Sequence, residues 1–226
     1  MMKQVIIKQK DLDYFEDEAY KSLRTNLQFC GEDKKVIAFT SSTPNEGKSS
    51  VTLNLAISLA KADKKVLLVD ADLRKSVLLG HLQTGGKIQG MTHYLSHQSK
   101  LQDVVCGTDV KNFHLILAGP VTPNPAELLG NRYFKDMITV MRDIYDYILI
   151  DTPPLGSVID SAIIAEECDG VVLVIESGVI SYRFLRNVKE QLEKSNCPIL
   201  GAVLNKVDQS KRKYYGKYYG KYYGKY

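Results

Sequence analysis

The chain has 226 residues, of which 44% are hydrophobic and 25% are charged, and its net charge is +4. This composition is typical of a soluble globular fold and excludes disorder over the whole length. The four cysteines are scattered and form no CxxC pair, which argues against a disulfide scaffold or a cysteine-ligated zinc site and favours reduced thiols in a cytoplasm. No apolar run approaches the roughly 20 residues that span a bilayer, so we expect a cytoplasmic protein that would need a partner to reach a membrane.

Short apolar runs alternate with helical patterns along the chain. Apolar residues recur at spacings of three and four over about residues 11–29, which predicts an N-terminal helix. The other predicted helices cover about 47–62, 132–145, 161–168 and 181–194, and the predicted buried strands cover 36–40, 65–70, 115–118, 147–151, 170–176 and 199–205. This alternation predicts an α/β fold, a parallel sheet with helices on both faces, in which ligands bind at the carboxyl ends of the strands.

The polar loop after the first of these strands resembles a phosphate-binding loop. Residues 42–50 read STPNEGKSS, which contains the GKS of the motif GxxxxGK[ST] but has serine at the position of the first glycine. Backbone N–H groups at the start of the following helix favour phosphate, Lys48 can bridge the β- and γ-phosphates, and the Ser49 hydroxyl can ligate Mg²⁺. Asn45 tolerates the left-handed conformation that a glycine would supply. The sequence therefore predicts a P-loop NTPase-like fold, with nucleotide contacts from Asn45, Glu46, Gly47, Lys48, Ser49 and Ser50.

Three aspartates lie at the ends of two predicted strands. Asp70 and Asp72 follow the run 66–69, and Asp151 follows the run 148–150. An aspartate at a strand end beside a phosphate loop is placed to hold Mg²⁺, and two carboxylates can serve the metal directly or through its waters. A third is then free to accept a proton from an incoming hydroxyl group. We predict that the three carboxylates cluster near the amino group of Lys48.

The segment 209–226 differs in composition from the rest of the chain. It contains six basic residues and no acid, so it carries +6 and leaves the other 24 basic and 26 acidic residues with a net charge of −2. It repeats KYYG, and a glycine at every fourth residue disfavours a helix. We predict a flexible tail that would reach roughly 60 Å when fully extended, far enough to enter its own active site or a neighbour's. Its seven tyrosines are Tyr214, Tyr215, Tyr218, Tyr219, Tyr222, Tyr223 and Tyr226.

The motifs occur in the order found in bacterial tyrosine kinases. The relaxed phosphate loop is followed by a DxDxR motif over residues 70–74, an NPxELL segment over 124–129 and a DxPP motif over 151–154. With the tyrosine-rich end, the chain resembles this family over nearly its whole length, and the family itself is similar to the P-loop ATPases that position division sites. The resemblance implies that ATP and Mg²⁺ are the cofactors, that residues 1–208 form the kinase domain, and that 209–226 are autophosphorylated.

Within the family, the chain is similar to the short Gram-positive type, whose membrane-spanning activator is a separate chain. The resemblance implies control of capsular or extracellular polysaccharide synthesis, recruitment to the inner face of the cell membrane by the activator, protein tyrosine substrates and a cognate tyrosine phosphatase. It also implies a ring-like homo-oligomer formed through an ExxRxxR motif, which reads here as Glu18, Lys21 and Arg24. Lys21 keeps the charge of the usual arginine but loses its bidentate fork. We expect no nucleic acid partner.

The mechanism that follows is in-line transfer of the γ-phosphoryl group of ATP to a tail tyrosine. Lys48 and Mg²⁺ neutralise the developing charge, while Ser49 and Asp151 hold the metal. Asp72 supports the metal's water shell, and Asp70 accepts the proton of the phenol, whose pKa near 10 calls for a base at pH 7.

The residue expected to contact the nucleotide base lies at the end of the last predicted strand. In the related ATPases an asparagine at this place contacts adenine, so the resemblance assigns that contact to Asn205. The same stretch, Asn205-Lys206-Val207-Asp208, also fits NKxD, the guanine-reading motif of small GTPases. ATP and GTP are therefore rival nucleotides, and a competition assay would decide between them.

Three other functions are compatible with these residues. A MinD/ParA-like positioning ATPase would hydrolyse ATP against water and bind a partner without phosphorylating tyrosine. A non-enzymatic scaffold would use the tail only as an adhesive segment. The basic, tyrosine-rich tail could also bind anionic lipid or stack on nucleic acid bases. The tyrosine cluster and the DxDxR motif favour the kinase.

Overall fold

A computed structural model describes residues 2–8 and 12–208. The seven tail tyrosines and the tail's predicted flexibility lie outside the described residues. The strands are β1 (Lys3–Ile7), β2 (Val36–Ser41), β3 (Val66–Asp70), β4 (Leu82–Thr84), β5 (Val105–Thr108), β6 (Phe113–Ile116), β7 (Tyr147–Asp151), β8 (Gly170–Glu176) and β9 (Ile199–Asn205). The helices are α1 (Tyr14–Phe29), α2 (Lys48–Lys61), α3 (Met91–Leu95), α4 (Leu101–Val104), α5 (Pro125–Leu129), α6 (Arg132–Arg142), α7 (Asp160–Ala165) and α8 (Tyr182–Glu193), and a 3₁₀ helix covers Leu78–His81. None of the helices in these residues is both long and apolar enough to cross a bilayer.

The nine strands form one sheet in the order β4-β1-β5-β6-β3-β7-β2-β8-β9. From β6 to β9 every neighbouring pair is parallel, which confirms the predicted α/β fold with a parallel sheet. At the other edge β5 is antiparallel to β6, and β4 is antiparallel to β1. The prediction missed β1, β4 and β5 because each has only three to five residues and no long apolar run marks it.

Alternate residues of the central strands face two separate layers of helices. In β2, Val36 and Ala38 pack into one hydrophobic cluster, and Ile37 and Phe39 pack into the other. The first cluster includes buried side chains of α6, α7 and α8, and the second includes those of α1 and α2. Both faces of the central strands are therefore covered, as their continuous apolar runs predicted. Strand β9, also predicted to be buried, has no buried residue because it lies at the edge of the sheet.

Helices α6 and α7 each end three residues earlier than predicted, and two other boundaries shift for local reasons. Helix α1 begins at Tyr14 because the Asp13 carboxylate accepts the Glu16 N–H at 2.8 Å, while the Glu16 carboxylate accepts the Asp13 N–H at 3.2 Å. Strand β6 ends at Ile116, two residues earlier than predicted. The carbonyls of the next two residues, 117 and 118, accept the N–H groups of Met91 and Thr92 at 2.7 and 2.9 Å, so the chain leaves the sheet to bond to the start of α3.

Candidate active site

The order of the central strands brings the predicted site residues to one edge of the sheet. Strand β7 lies between β3 and β2, and in this register Asp151 is paired with Asp70 on one side and with Phe39 on the other. The phosphate loop follows β2 directly. The carboxyl ends of three adjacent parallel strands therefore hold the loop and all three predicted aspartates.

The loop has the backbone shape of an anion cradle. Asn45 adopts the left-handed conformation expected of it, with φ = 67°, and Gly47 has φ = 85° just before α2 begins at Lys48. A Cβ atom on Gly47 would lie 2.2 Å from the Asn205 side-chain nitrogen, so only glycine fits there. Residues 44–50 line a cavity of about 440 Å³, a volume typical of small-ligand sites.

Lys48 forms a buried ion pair with Asp151, at the end of strand β7. Its Nζ lies 2.5 Å from Asp151 Oδ1 and 3.3 Å from Ser49 Oγ, and both partners of the pair are almost completely buried. Of the three predicted carboxylates, Asp151 is thus in direct contact with the amino group of Lys48. The lysine is held at the phosphate cavity by Asp151.

Asp70 is a buried carboxyl group whose environment favours its protonated form. It is 1% exposed, and the Ser76 hydroxyl donates a hydrogen bond to its Oδ2. Burial, and then the nearby charge of Asp151, raise the pKa of Asp70 to about 7, although Ser76 and Lys48 oppose the shift. A carboxyl group with this pKa can take up and release a proton near neutral pH.

Asp72 lies where two cavities meet. It lines the phosphate-loop cavity and also a second cavity of about 500 Å³, which Asp70 lines as well. Its Oδ1 accepts the N–H of Lys75 at 2.9 Å and, more weakly, that of Arg74 at 3.3 Å, which holds the carboxylate in a turn. The second cavity is bordered by apolar side chains that include Leu79, Ile88 and Val121.

The oxygen donors at this edge fit Mg²⁺. Within the described part of the chain there is no cluster of three or more His, Cys, Asp or Glu side chains that could hold a metal by itself. The predicted set of Ser49, Asp72 and Asp151 supplies one hydroxyl and two carboxylates, and Mg²⁺ usually combines one or two carboxylates with phosphate oxygens and waters. The chemical types of these donors fit a metal ion that binds together with a nucleotide.

Arg74, the last residue of the DxDxR motif, anchors the acidic loop to α7. Its Nε and Nη2 donate to the two carboxylate oxygens of Asp160 at 2.8 and 2.9 Å, and Asp160 is completely buried. A bidentate arginine on a carboxylate fixes orientation as well as charge. The pair therefore joins the loop after β3 to the helix that follows the DxPP motif.

We predict that Arg74→Met destabilises the protein because it leaves Asp160 buried without its cation. The expected loss is about 2 kcal/mol, below the range for fully buried pairs because Arg74 is partly exposed. The double variant Arg74→Met/Asp160→Asn should recover most of this loss. Thermal unfolding followed by circular dichroism tests both, and a double variant no more stable than the single one contradicts the prediction.

Glu46 does not present its carboxylate to the cavity. The side chain is 1% exposed and accepts the N–H of Thr43 at 2.5 Å and the N–H of Glu176 at 2.9 Å. The predicted nucleotide contact of Glu46 would therefore come from its backbone N–H. Asn205, predicted to contact the base, donates through Nδ2 to the Glu46 carbonyl at 2.9 Å.

The residues predicted for self-association, Glu18, Lys21 and Arg24, all lie on helix α1. Lys21 pairs with Glu18 at 2.7 Å and with Asp17 at 2.8 Å, and all three side chains are about half-exposed. Arg24 Nη1 donates to the Ser58 carbonyl of α2 at 2.7 Å. Within one chain, then, Arg24 ties α1 to α2, and the part these residues play in assembly remains a prediction.

Two residues of the site, Ser76 and Asp160, were missed from the sequence, and Lys206 was noted only as part of the NKxD-like stretch. Ser76 and Asp160 contact Asp70 and Arg74, and Lys206 Nζ donates to the Asn45 carbonyl at 2.6 Å. Only Ser76, six residues after Asp70, was close enough in sequence to be found by its spacing.

Comparisons with known proteins agree with this geometry. Residues 34–197 match a family described as an AAA domain. The chain is 47% identical over 198 residues to the tyrosine-protein kinase CpsD of Streptococcus agalactiae, an alignment that covers 88% of this chain and 86% of the relative.

Solved structures with the same fold include a chimerical Cap protein and a division-site protein. The chimerical protein CapA2B2 superposes with a TM-score of 0.82 at 28% identity, covering 89% of this chain and 92% of that one. The septum site-determining protein MinD of Pyrococcus horikoshii, complexed with Mg-ADP, superposes with a TM-score of 0.66 at 28% identity and covers 79% of this chain and 72% of that one.

Proposed function

Because the chain belongs to the family of bacterial tyrosine-protein kinases, we propose that it transfers the γ-phosphoryl group of ATP to the tyrosines of its own C-terminal segment. The observation that carries this proposal is the meeting of two cavities at Asp72. One is lined by the phosphate loop, and the other combines Asp70 with apolar walls suited to a phenol ring. A hydrolase that uses water as acceptor has no need of the second cavity.

The chain's own residues supply the groups that this transfer requires. Lys48 would exchange the Asp151 carboxylate for phosphate oxygens and neutralise the charge that develops on them. Asp70, with a pKa of about 7, would take the phenol proton as the bond from the phenol oxygen to phosphorus forms, while the bond from phosphorus to the β-phosphate oxygen breaks and ADP leaves.

The proposed metal ligands lie at the same edge of the sheet. Ser49, Asp72 and Asp151 would hold Mg²⁺, which when bound supplies positive charge to the β- and γ-phosphates. The similarity to a division-site protein complexed with Mg-ADP supports this choice of ion.

Intact-mass spectrometry of the purified chain tests the proposal. After incubation with ATP and Mg²⁺ we expect up to seven added phosphate groups, all within residues 214–226 after proteolytic mapping. A positioning ATPase would release inorganic phosphate and leave the mass unchanged, and an adhesive scaffold would do neither. The fold similarity to MinD keeps the ATPase as the second candidate, but its lower TM-score makes it the weaker one.

We expect phosphorylation to reduce the size of the assembly. Each phosphotyrosine adds roughly −1.5 to −2 charges, so three or four would cancel the +6 of the tail and loosen its fit to acidic active sites. Sedimentation velocity should show smaller species after ATP treatment. A chain with all seven tail tyrosines changed to phenylalanine is the control and should not change. Identical sedimentation of modified and unmodified wild type contradicts this expectation.

The proposed setting follows from the family. The chain would act in capsular or extracellular polysaccharide synthesis. A separate transmembrane activator would recruit it to the inner face of the membrane, and a tyrosine phosphatase would remove the phosphate groups. Residues 1–208 would form the kinase domain, and Glu18, Lys21 and Arg24 would contribute to a homo-oligomer.

A further inference from the structure

The end of β9 is bonded directly to the tip of the phosphate loop. Asn205 Nδ2 donates to the Glu46 carbonyl at 2.9 Å, and Lys206 Nζ donates to the Asn45 carbonyl at 2.6 Å. Lys206 Nζ also lies 2.8 Å from Glu176 Oε2 at the end of the neighbouring strand β8. Two consecutive carbonyl groups of the loop are thus held by two consecutive side chains.

These contacts determine where the loop's N–H groups point. A peptide group is planar and trans, so its N–H points away from its own C=O. The carbonyls of Asn45 and Glu46 belong to the peptides that carry the N–H groups of Glu46 and Gly47. Because both carbonyls face β9, both N–H groups point to the opposite side of the loop, and residues 45–47 line the phosphate cavity. Consecutive N–H groups arranged in this way form a concave site for anions.

The loop also contains a residue in the left-handed conformation, which contacts from outside the loop help to hold. Asn45 has φ = 67°, a conformation that asparagine tolerates better than most residues other than glycine, although it is less favourable than the right-handed regions. The Glu46 carboxylate makes a further contact with β8, since it accepts a hydrogen bond from the Glu176 N–H at 2.9 Å. The loop is therefore held in its cradle shape by β8 and β9.

We propose that Asn205 and Lys206 are positioning residues for phosphate recognition: they orient the Glu46 and Gly47 N–H groups toward the β- and γ-phosphates of the donor nucleotide. This inference rests on the proposed function, since ATP is the donor. It gives Asn205 a role other than base recognition, and it explains how the lysine of the NKxD-like stretch is used without a guanine base.

A ligand without a base separates the two roles of Asn205. If Asn205 only reads the base, its loss weakens ADP and leaves inorganic tripolyphosphate unaffected. If it positions the loop, both ligands weaken by the same factor. Lys206 makes the same distinction independently, because among residues 2–8 and 12–208 the hydrogen bonds of its amino group go to the Asn45 carbonyl and to Glu176.

The experiment is calorimetric titration of the full chain with Mg-ADP and with magnesium tripolyphosphate. For Asn205→Ala and Lys206→Met we expect the Kd of both ligands to rise about tenfold, and for Lys206→Arg by less than about threefold, because arginine keeps a charged donor. Lys111→Met, a change at a surface lysine that is 84% exposed, is the matched control and should bind both ligands like wild type.

The titrations distinguish failure of this inference from failure of the proposed function. Weaker ADP with unchanged tripolyphosphate, or no change in either ligand, overturns the inference while leaving the kinase assignment intact. Should Asn205→Ala fail to fold, Lys206→Met and Lys206→Arg still decide the matter, since the Lys206 side chain is half-exposed. A wild type that binds neither ligand contradicts the proposed function itself.

Discussion

Replacing Lys48 by methionine is expected to abolish phosphorylation of the tail, with a loss of about 10³-fold or more in rate. Arg74 and Lys75 also line the phosphate cavity, but Lys48 is the cation that contacts Asp151, and no other side chain of residues 42–50 is positively charged. Incorporation of phosphate from γ-labelled ATP into the purified chain measures the effect.

The same change also removes the partner of a buried carboxylate, so the fold must be checked with the activity. Asp151 is 1% exposed, and its charge would be left uncompensated beside Asp70. Circular dichroism at the assay temperature verifies that the variant is folded, and Lys111→Met controls for the substitution itself. A folded Lys48→Met chain that keeps more than a tenth of wild-type activity contradicts the role given to Lys48.

Replacing Asp70 by asparagine is expected to remove transfer to tyrosine and at the same time to stabilise the protein above pH 7. In the folded state the pKa of Asp70 is raised from 3.8 to about 7, chiefly by burial. Between these two values the folded chain holds a proton that the unfolded chain has lost, so this group makes stability fall as pH rises. Asparagine has the same shape and never acquires the buried charge.

The size of the stabilisation follows from the shift. Each pKa unit corresponds to about 1.4 kcal/mol, so the variant should be more stable than wild type by on the order of a few kcal/mol at pH 8.5 and by little at pH 4. Melting curves in metal-free buffer across this range measure the difference, and Asp63→Asn, at a residue that is 84% exposed, is the control. A difference between variant and wild type that does not grow with pH contradicts the buried-base description of Asp70.

The sequence predicted the elements that are continuous and apolar. Strands β2, β3, β7 and β8 are long buried runs, and their order in the chain, with helices between them, leaves a parallel sheet as the one simple solution. The strands β1 and β4 could not be found in this way, because a pairing between residues 5 and 84 depends on the folded sheet and leaves no periodic signal.

The candidate site was predictable where a motif places its residues at strand ends. Lys48, Asp70 and Asp151 meet because their strands are neighbours, and a parallel sheet brings all such ends to one edge. The supporting contacts were not predictable. Arg74 and Asp160 are 86 residues apart, and Asn205 and Glu46 are 159 residues apart, so only the tertiary fold joins them.

The most direct test is to follow the γ-phosphoryl group of labelled ATP in the wild-type chain and in the chain with all seven tail tyrosines changed to phenylalanine. In the wild type we expect the label on residues 214–226, and in the phenylalanine chain we expect that protein-bound label to disappear while ADP binding is retained. Label that appears only as inorganic phosphate in both chains would contradict tyrosine as the acceptor and would leave water in its place.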